Sequence, residues 1–174
     1  MKEIPISYLY ELFDPDFTEG VLRWRPRPLS HFKRHSDFKS WNSNNSGKIA
    51  GYESRGYIEV SIDSRTYRAH RVIYAMFYSK WPSNQIDHIN GNRSDNRIVN
   101  IRDVTSVENG RNRKKYSNNS SGVNGVYYHN GYKKWVAQIG RKHIGSYFDF
   151  NDAVEARTAA DLEYSYHENH GREA

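Results

Sequence analysis

The chain has 174 residues, 36% of them hydrophobic and 26% charged, enough for one domain or for two or three small units with modest cores. It contains no Cys, which excludes disulfides and any zinc-thiolate site and fits a reducing cytoplasm. The formal charge of +6 points to a polyanionic partner, nucleic acid or an anionic membrane. The longest apolar run, residues 72–78, is far too short to span a bilayer, and residues 1–13 do not read as a secretory signal, so a soluble protein is expected. In chain order, the pattern predicts a short helix over 6–13, closed by Asp14-Pro15, and a strand at Val21–Trp24 stopped by Pro26 and Pro28. Residues 29–46, basic and rich in Asn and Ser, read as a surface loop that orders on DNA. Alternation of Ile58, Val60 and Ile62 predicts a strand over 56–62, and Ala69, Val72, Ile73, Met76 and Phe77 recur at helical spacing, giving an amphipathic helix over 67–78.

Beyond that helix, residues 111–122 have the composition of a linker, with the boundary near Ser117. Three strands are expected at 125–128, 134–139 and 142–147, then a helix over 150–167 with Asp149 as N-cap and Asp152 completing a carboxylate capping box. Trp135, Ala137 and Ile139 form the core face of the middle strand, and Ala153, Ala156 and Ala160 form a small-residue stripe that lies on the sheet.

Charge is unevenly spread. Residues 20–48 hold seven Lys or Arg against the single acid Asp37, and residues 109–148 hold eight with no acid. Residues 149–174 reverse the sign, with seven acids and two Arg. Two basic blocks interleaved with Trp, Tyr and His read as a surface turned toward phosphate, and no basic amphipathic helix argues for a membrane instead.

The chemistry is carried by Ile86-Asp87-His88-Ile89-Asn90-Gly91-Asn92, with Asn96, Asn100 and Val107-Glu108-Asn109 following. Asn90-Gly91 alone is a hairpin-turn signal, and each polar residue alone has a structural reading. Together they meet the needs of phosphodiester hydrolysis: a cation on the phosphate oxygens, a base for water, and a frame for both. Asp87 and Asn109 are hard oxygen donors suited to Mg²⁺ or Mn²⁺. His88, on the opposite face of its strand from Asp87, is a base that is largely neutral at physiological pH.

Residues 67–109 closely resemble the phage HNH homing and nicking endonucleases. The resemblance rests on Ala69-His70-Arg71, Asp87-His88 with Asn90-Gly91-Asn92, Asn96, Asn100-Ile101-Arg102, Val104-Thr105 and Asn109. It implies an α+β chain carrying a ββα-metal nuclease unit, with Asp87 and Asn109 as metal ligands and His88 as general base. Asn100 and Asn96 would hold the loop, and Arg71 would contact phosphate. Two positions depart from the family: the final ligand is Asn109 where many members have His, and Asp103 stands where an aromatic often follows.

Residues 123–164 resemble the Apetala-two (ethylene-response-factor) DNA-binding domain. The matching pieces are Ser121-Gly122-Val123-Asn124-Gly125-Val126, Lys134-Trp135-Val136-Ala137-Gln138-Ile139 and Ile144-Gly145-Ser146-Tyr147. This implies a three-stranded antiparallel sheet on one helix, its open face in the major groove. Asn124, Tyr127, His129, Lys133, Lys134, Gln138, Arg141 and His143 are then DNA-facing, joined by Arg111 and Arg113 of the linker. The expected organisation is an N-terminal α/β segment with a basic loop (1–66), the HNH unit (67–116), a linker (117–122) and the DNA-binding module (123–174). The implied function is a DNA endonuclease of homing or nicking type acting on double-stranded DNA in the cytoplasm of a phage-infected bacterial cell, with a monomer favoured. The alternative is a DNA-binding regulator with an inactive HNH unit.

Overall fold

A computed structural model of the protein describes residues 3–110, 119–164 and 166; Arg111 and Arg113 lie outside them, as does most of the expected linker. The chain divides into two compact units, Met1–Val104 and Thr105–Ala174.

The first unit opens with α1 (Ile6–Leu12), which starts after Pro5 and buries Leu9 and Leu12. It runs directly into β1 (Phe13–Asp16), which pairs antiparallel with β2 (Val21–Trp24). In this two-stranded sheet Pro15 sits on an edge, where its missing N–H is tolerated. The turn is fastened by Asp16 Oδ1, which accepts from the backbone N–H groups of Thr18 and Glu19 at 3.0 and 2.9 Å. Gly20 closes it with φ +72°, and a Cβ there would meet the backbone of Asn96 and Arg97 at 2.3–2.9 Å. No other residue fits that position.

The expected surface loop over 29–46 is instead a 3-10 turn (Leu29–His31) followed by the helix α2 (His35–Asn45). Phe38 and Trp41, three residues apart, dock into an aromatic cluster with Phe32 and Trp24, and the Arg27 guanidinium lies over both the Trp24 and the Trp41 ring, at 4.7 and 4.3 Å. Two apolar residues in eleven give too faint a period to reveal the helix from sequence.

A three-stranded antiparallel sheet follows: β3 (Tyr52–Ser54), β4 (Tyr57–Ile62) and β5 (Arg65–Arg68), with β4 central. Both hairpins have two-residue turns with positive φ at each position, Arg55-Gly56 at 53° and 77°, and Asp63-Ser64 at 47° and 63°. The second turn lacks Gly, which hid β5 from the sequence reading; α3 (Ala69–Tyr78) therefore begins later than the expected residue 67. Helix α3 buries Ala69, His70, Val72, Ile73, Tyr74, Ala75 and Met76. With Leu9, Leu12, Phe13, Leu22, Val60, Ile62 and Ile101, its apolar residues form one core. Each fully buried large side chain contributes about 1.5–3 kcal/mol. Apolar residues of the segment 3–66 thus share this core with α3. The unit ends with the antiparallel pair β6 (Gln85–His88) and β7 (Ile101–Val104).

The second unit begins at a capping box in which Thr105 Oγ1 accepts from Glu108 N–H and Glu108 Oε2 accepts from Thr105 N–H, opening the short helix α4 (Ser106–Gly110). Residues 119–122 are folded back by hydrogen bonds, Ser121 donating to the carbonyl of Val123 and Asn119 Oδ1 accepting from Gly122 N–H. Strands β8 (Val126–His129), β9 (Lys134–Ile139) and β10 (Lys142–Tyr147) form an antiparallel sheet with β9 central. Helix α5 (Phe150–Glu163) packs on it, its first turn capped by Asp149 Oδ1. Trp135 meets Phe150 at 4.7 Å and Ala137 packs with Val126 and Ala153. The buried stripe of α5 is Ala153, Arg157 and Ala160 rather than the three expected alanines, since Ala156 is only partly covered. The two-unit, mixed α and β architecture with small antiparallel sheets agrees with the α+β expectation.

Candidate active site

Strands β6 and β7 pair with Asp87 opposite Arg102 and His88 opposite Ile101. Directly opposed residues share a face, so Arg102 reaches Asp87: its Nε and Nη2 both donate to Asp87 Oδ2, at 3.0 and 2.8 Å. Asp87 and His88 are only 6% and 5% exposed. A buried carboxylate is tolerated when a cation and its hydrogen bonds compensate it, and Arg102 does so here.

The loop between the strands is knitted by amides. Asn100 Oδ1 accepts from the backbone of Asn90 at 3.0 Å, and its Nδ2 donates to the carbonyl of Asp95 at 2.7 Å. Asn90 Nδ2 donates to Asp95 Oδ2 at 2.7 Å. Arg97, bonded through Nε and Nη2, holds the Asp95 carboxyl down at about 2. The N-terminal hairpin supports the same loop from below, through Gly20 against Asn96 and through Ile98 N–H donating to the carbonyl of Phe17.

His88 Nε2 lies 3.1 Å from Oδ1 of Asn96, which is 1% exposed. An amide oxygen accepts, so Nε2 carries the proton and the ring lone pair is on Nδ1. Burial pushes the imidazole below its ordinary range, partly offset by the bond to Asn96 and the charges of Asp87 and Asp95. His70, at the start of α3, stands edge-on to His88 with ring centroids 4.9 Å apart. Burial, then the proximity of His88, Arg71 and Arg68, lowers His70 to about 3, and the ring is neutral. Tyr57 of β4 completes a group of three rings, 5.6 Å from His70 and 6.2 Å from His88.

Asp87 and Asn109 offer a carboxylate and an amide oxygen, a donor chemistry that fits a hard divalent cation. Among the described residues, no group of three or more His, Asp or Glu is gathered as a metal site. The structure brings together Asp87, His88, Asn96 and Asn100 in one unit; Asn109, on α4, belongs to the other. Arg71 donates to the carbonyls of Asn84 and Pro82 at 3.0 and 3.1 Å, clamping the segment before β6. Asp103 accepts from the backbone N–H groups of Ser83 and Asn84 at 2.8 and 2.9 Å, which gives this carboxylate a structural role at the start of β6.

In the second unit, Tyr127 opposes Val136, His129 opposes Lys134 and His143 opposes Gln138, so these residues share the face away from α5. Lys133 and Arg141 lie in the adjoining hairpin turns, Lys134 Nζ rests over the Phe148 ring at 4.3 Å, and Asn124 precedes β8.

Sequence reasoning gave no role to Arg102, Asp95 or Tyr57. Arg102 and Asp95 were within reach of it. Pairing 85–88 with 101–104 sets Arg102 opposite Asp87, and Asp95 is the acid inside the loop. Tyr57 carries no such signal, because the alternation of β4 marks it only as the face opposite Val60 and Ile62.

Comparison with known proteins bears on these residues. Residues 67–111 match the model of a family described as HNH endonuclease. Over 97 residues the chain is 33% identical to an uncharacterized HNH endonuclease of Acanthamoeba polyphaga mimivirus, a match covering 49% of this chain and 24% of that one. The chain thus spans about a quarter of that relative's length. No solved structure matches. Among the described residues no helix is long and apolar enough to cross a membrane. The strand pair, the amide-knitted loop and the buried His88 all fall inside the matched segment.

Proposed function

We propose that the protein is a metal-dependent DNA endonuclease of the homing or nicking type, with His88 as the general base. The observation that carries this reading is the His88–Asn96 pair: a buried neutral imidazole oriented through Nε2, beside a carboxylate, within a segment matching an HNH nuclease family. Nδ1 of His88 takes a proton from the attacking water. Nε2 carries a proton both before and after that transfer, so the bond to Asn96 serves the neutral and the charged ring alike. Asp87 and Asp95 favour the imidazolium as it forms. Asn100 and Asp95 keep the loop from shifting during the transfer.

Asp87 would hold Mg²⁺ or Mn²⁺, which supplies Lewis-acid stabilisation of charge on the phosphate oxygens when bound. Arg102 fixes the Asp87 carboxylate for that task. The open sheet face of the second unit, with Tyr127, His129, Lys134, Gln138 and His143, and with Asn124, Lys133 and Arg141 at its edges, reads double-stranded DNA in the major groove, as an Apetala-two-like module would.

The test is supercoiled plasmid incubated with the protein and Mg²⁺ or Mn²⁺. Nicking or linearisation is expected, stopped by EDTA and restored by excess cation, and full activity in excess EDTA would contradict the reading. Sequencing the ends distinguishes a preferred site from indiscriminate cutting.

A further inference from the structure

The cations near the His88 loop differ in what holds them. Arg102 is bonded to Asp87, Arg97 to Asp95, and Arg68 is paired with Glu59 at 3.1 Å. Arg71 is taken by two backbone carbonyls. Arg93 is different: it is exposed, it has no carboxylate partner among the described residues, and its guanidinium carbon stands 5.1 Å from the centroid of Tyr57. The same Tyr57 ring is 6.2 Å from His88.

We propose that Arg93, steadied on the face of Tyr57 beside His88, binds the non-bridging oxygens of the phosphodiester under attack. This rests on the endonuclease reading and adds to it the group that receives the phosphate. A guanidinium presents a planar fork of N–H donors that matches two phosphate oxygens, and stacking on an aromatic ring leaves that fork exposed. A side chain already held by a ring loses less freedom on binding than one free in solvent. Tyr57 is the positioning residue. Arg68 lies over the same ring at 4.1 Å and, paired with Glu59, fixes the ring's orientation.

The experiment compares wild type with Arg93→Ala, Arg93→Lys, Tyr57→Leu and Tyr57→Phe in two assays. The first is plasmid cleavage with Mg²⁺, resolved into kcat and KM. The second is affinity for a linear duplex in EDTA across a KCl series. Arg93→Ala is expected to lower kcat by about 100-fold, with Arg93→Lys intermediate. It should also reduce the slope of log affinity against log salt by about 0.9, one phosphate contact. Tyr57→Leu should follow Arg93→Ala in kcat, and Tyr57→Phe, which keeps the ring, should recover most of the loss. Arg93→Ala with an unchanged salt slope and cleavage within about threefold of wild type would overturn the proposal. If wild type itself leaves the plasmid intact, the endonuclease reading fails, and with it the scissile-phosphate role. The salt slope, read without catalysis, still reports whether Arg93 meets phosphate at all. Because Arg93 is exposed, its removal leaves folding intact, and the result stands even if Tyr57→Leu fails to fold.

Discussion

Among the described residues the two units differ in how many polar groups they bury, the second burying Arg157 alone. The first buries His70, Asp87, His88, Asn96 and Asn100 around a strand pair and loop, beside a core that runs from Leu9 to Ile101. The second has a thin core of Val126, Ala137 and Ala153 with partly covered neighbours, and sets Tyr127, His129, Lys134, Gln138 and His143 on an open sheet face. Burying polar groups is costly unless each is bonded, and the reward is fixed orientation and altered proton affinity. An open polar face costs little and remains available to a partner. On the proposed function, this contrast places chemistry in the first unit and recognition in the second.

That contrast can be broken at Gly20. Its positive φ and its approach to the backbone of Asn96 and Arg97 leave no room for a Cβ. Gly20→Ala should destabilise the first unit by roughly 2–4 kcal/mol, combining left-handed strain with overpacking. Urea unfolding followed by Trp fluorescence reports this unit through Trp24, Trp41 and Trp81. A loss below about 0.5 kcal/mol, the level of an ordinary surface change, would mean that the hairpin does not support the loop.

Acid probes the buried histidines. His70 titrates near 3 in the fold against its ordinary value of 6.5, so the unfolded chain binds the proton first as pH falls. Stability is therefore full above about pH 6.5 and declines toward pH 3, by roughly 2 kcal/mol between pH 7 and pH 5 from His70 alone. His88, also lowered, acts in the same direction. His70→Gln should have a flatter stability profile over this range; a profile as steep as wild type would show that His70 is not the group protonated on unfolding.

The smallest effect on folding is expected at the sheet. Gln138→Ala and Tyr127→Ala should change stability within about 0.5 kcal/mol. On the preferred duplex each should weaken binding by about 1–3 kcal/mol, with less effect on unrelated sequence. Equal losses on both duplexes would make the face a general phosphate surface instead.

Much of this was legible in the sequence for reasons that also mark where legibility ended. Strand β9 was visible because Trp135, Ala137 and Ile139 alternate, and the Asp87 to Asn100 loop because its residue types match one chemistry. Strand β5 was hidden by a turn built from Asp63-Ser64 without Gly, and α2 by having Phe38 and Trp41 as its only apolar anchors. Tyr57 and Gly20 were invisible because their importance lies in what the fold brings against them from distant segments. Local pattern encodes elements; it does not encode such meetings.

The most direct test of the account is His88→Ala measured for cleavage and for DNA binding in parallel, under Mg²⁺ and at equal protein. Loss of a positioned base should slow cleavage by about 10²–10⁴-fold while affinity for the same DNA stays close to wild type. Cleavage within about tenfold of wild type would contradict the assignment of His88 as the base, and with it the reading of the buried site.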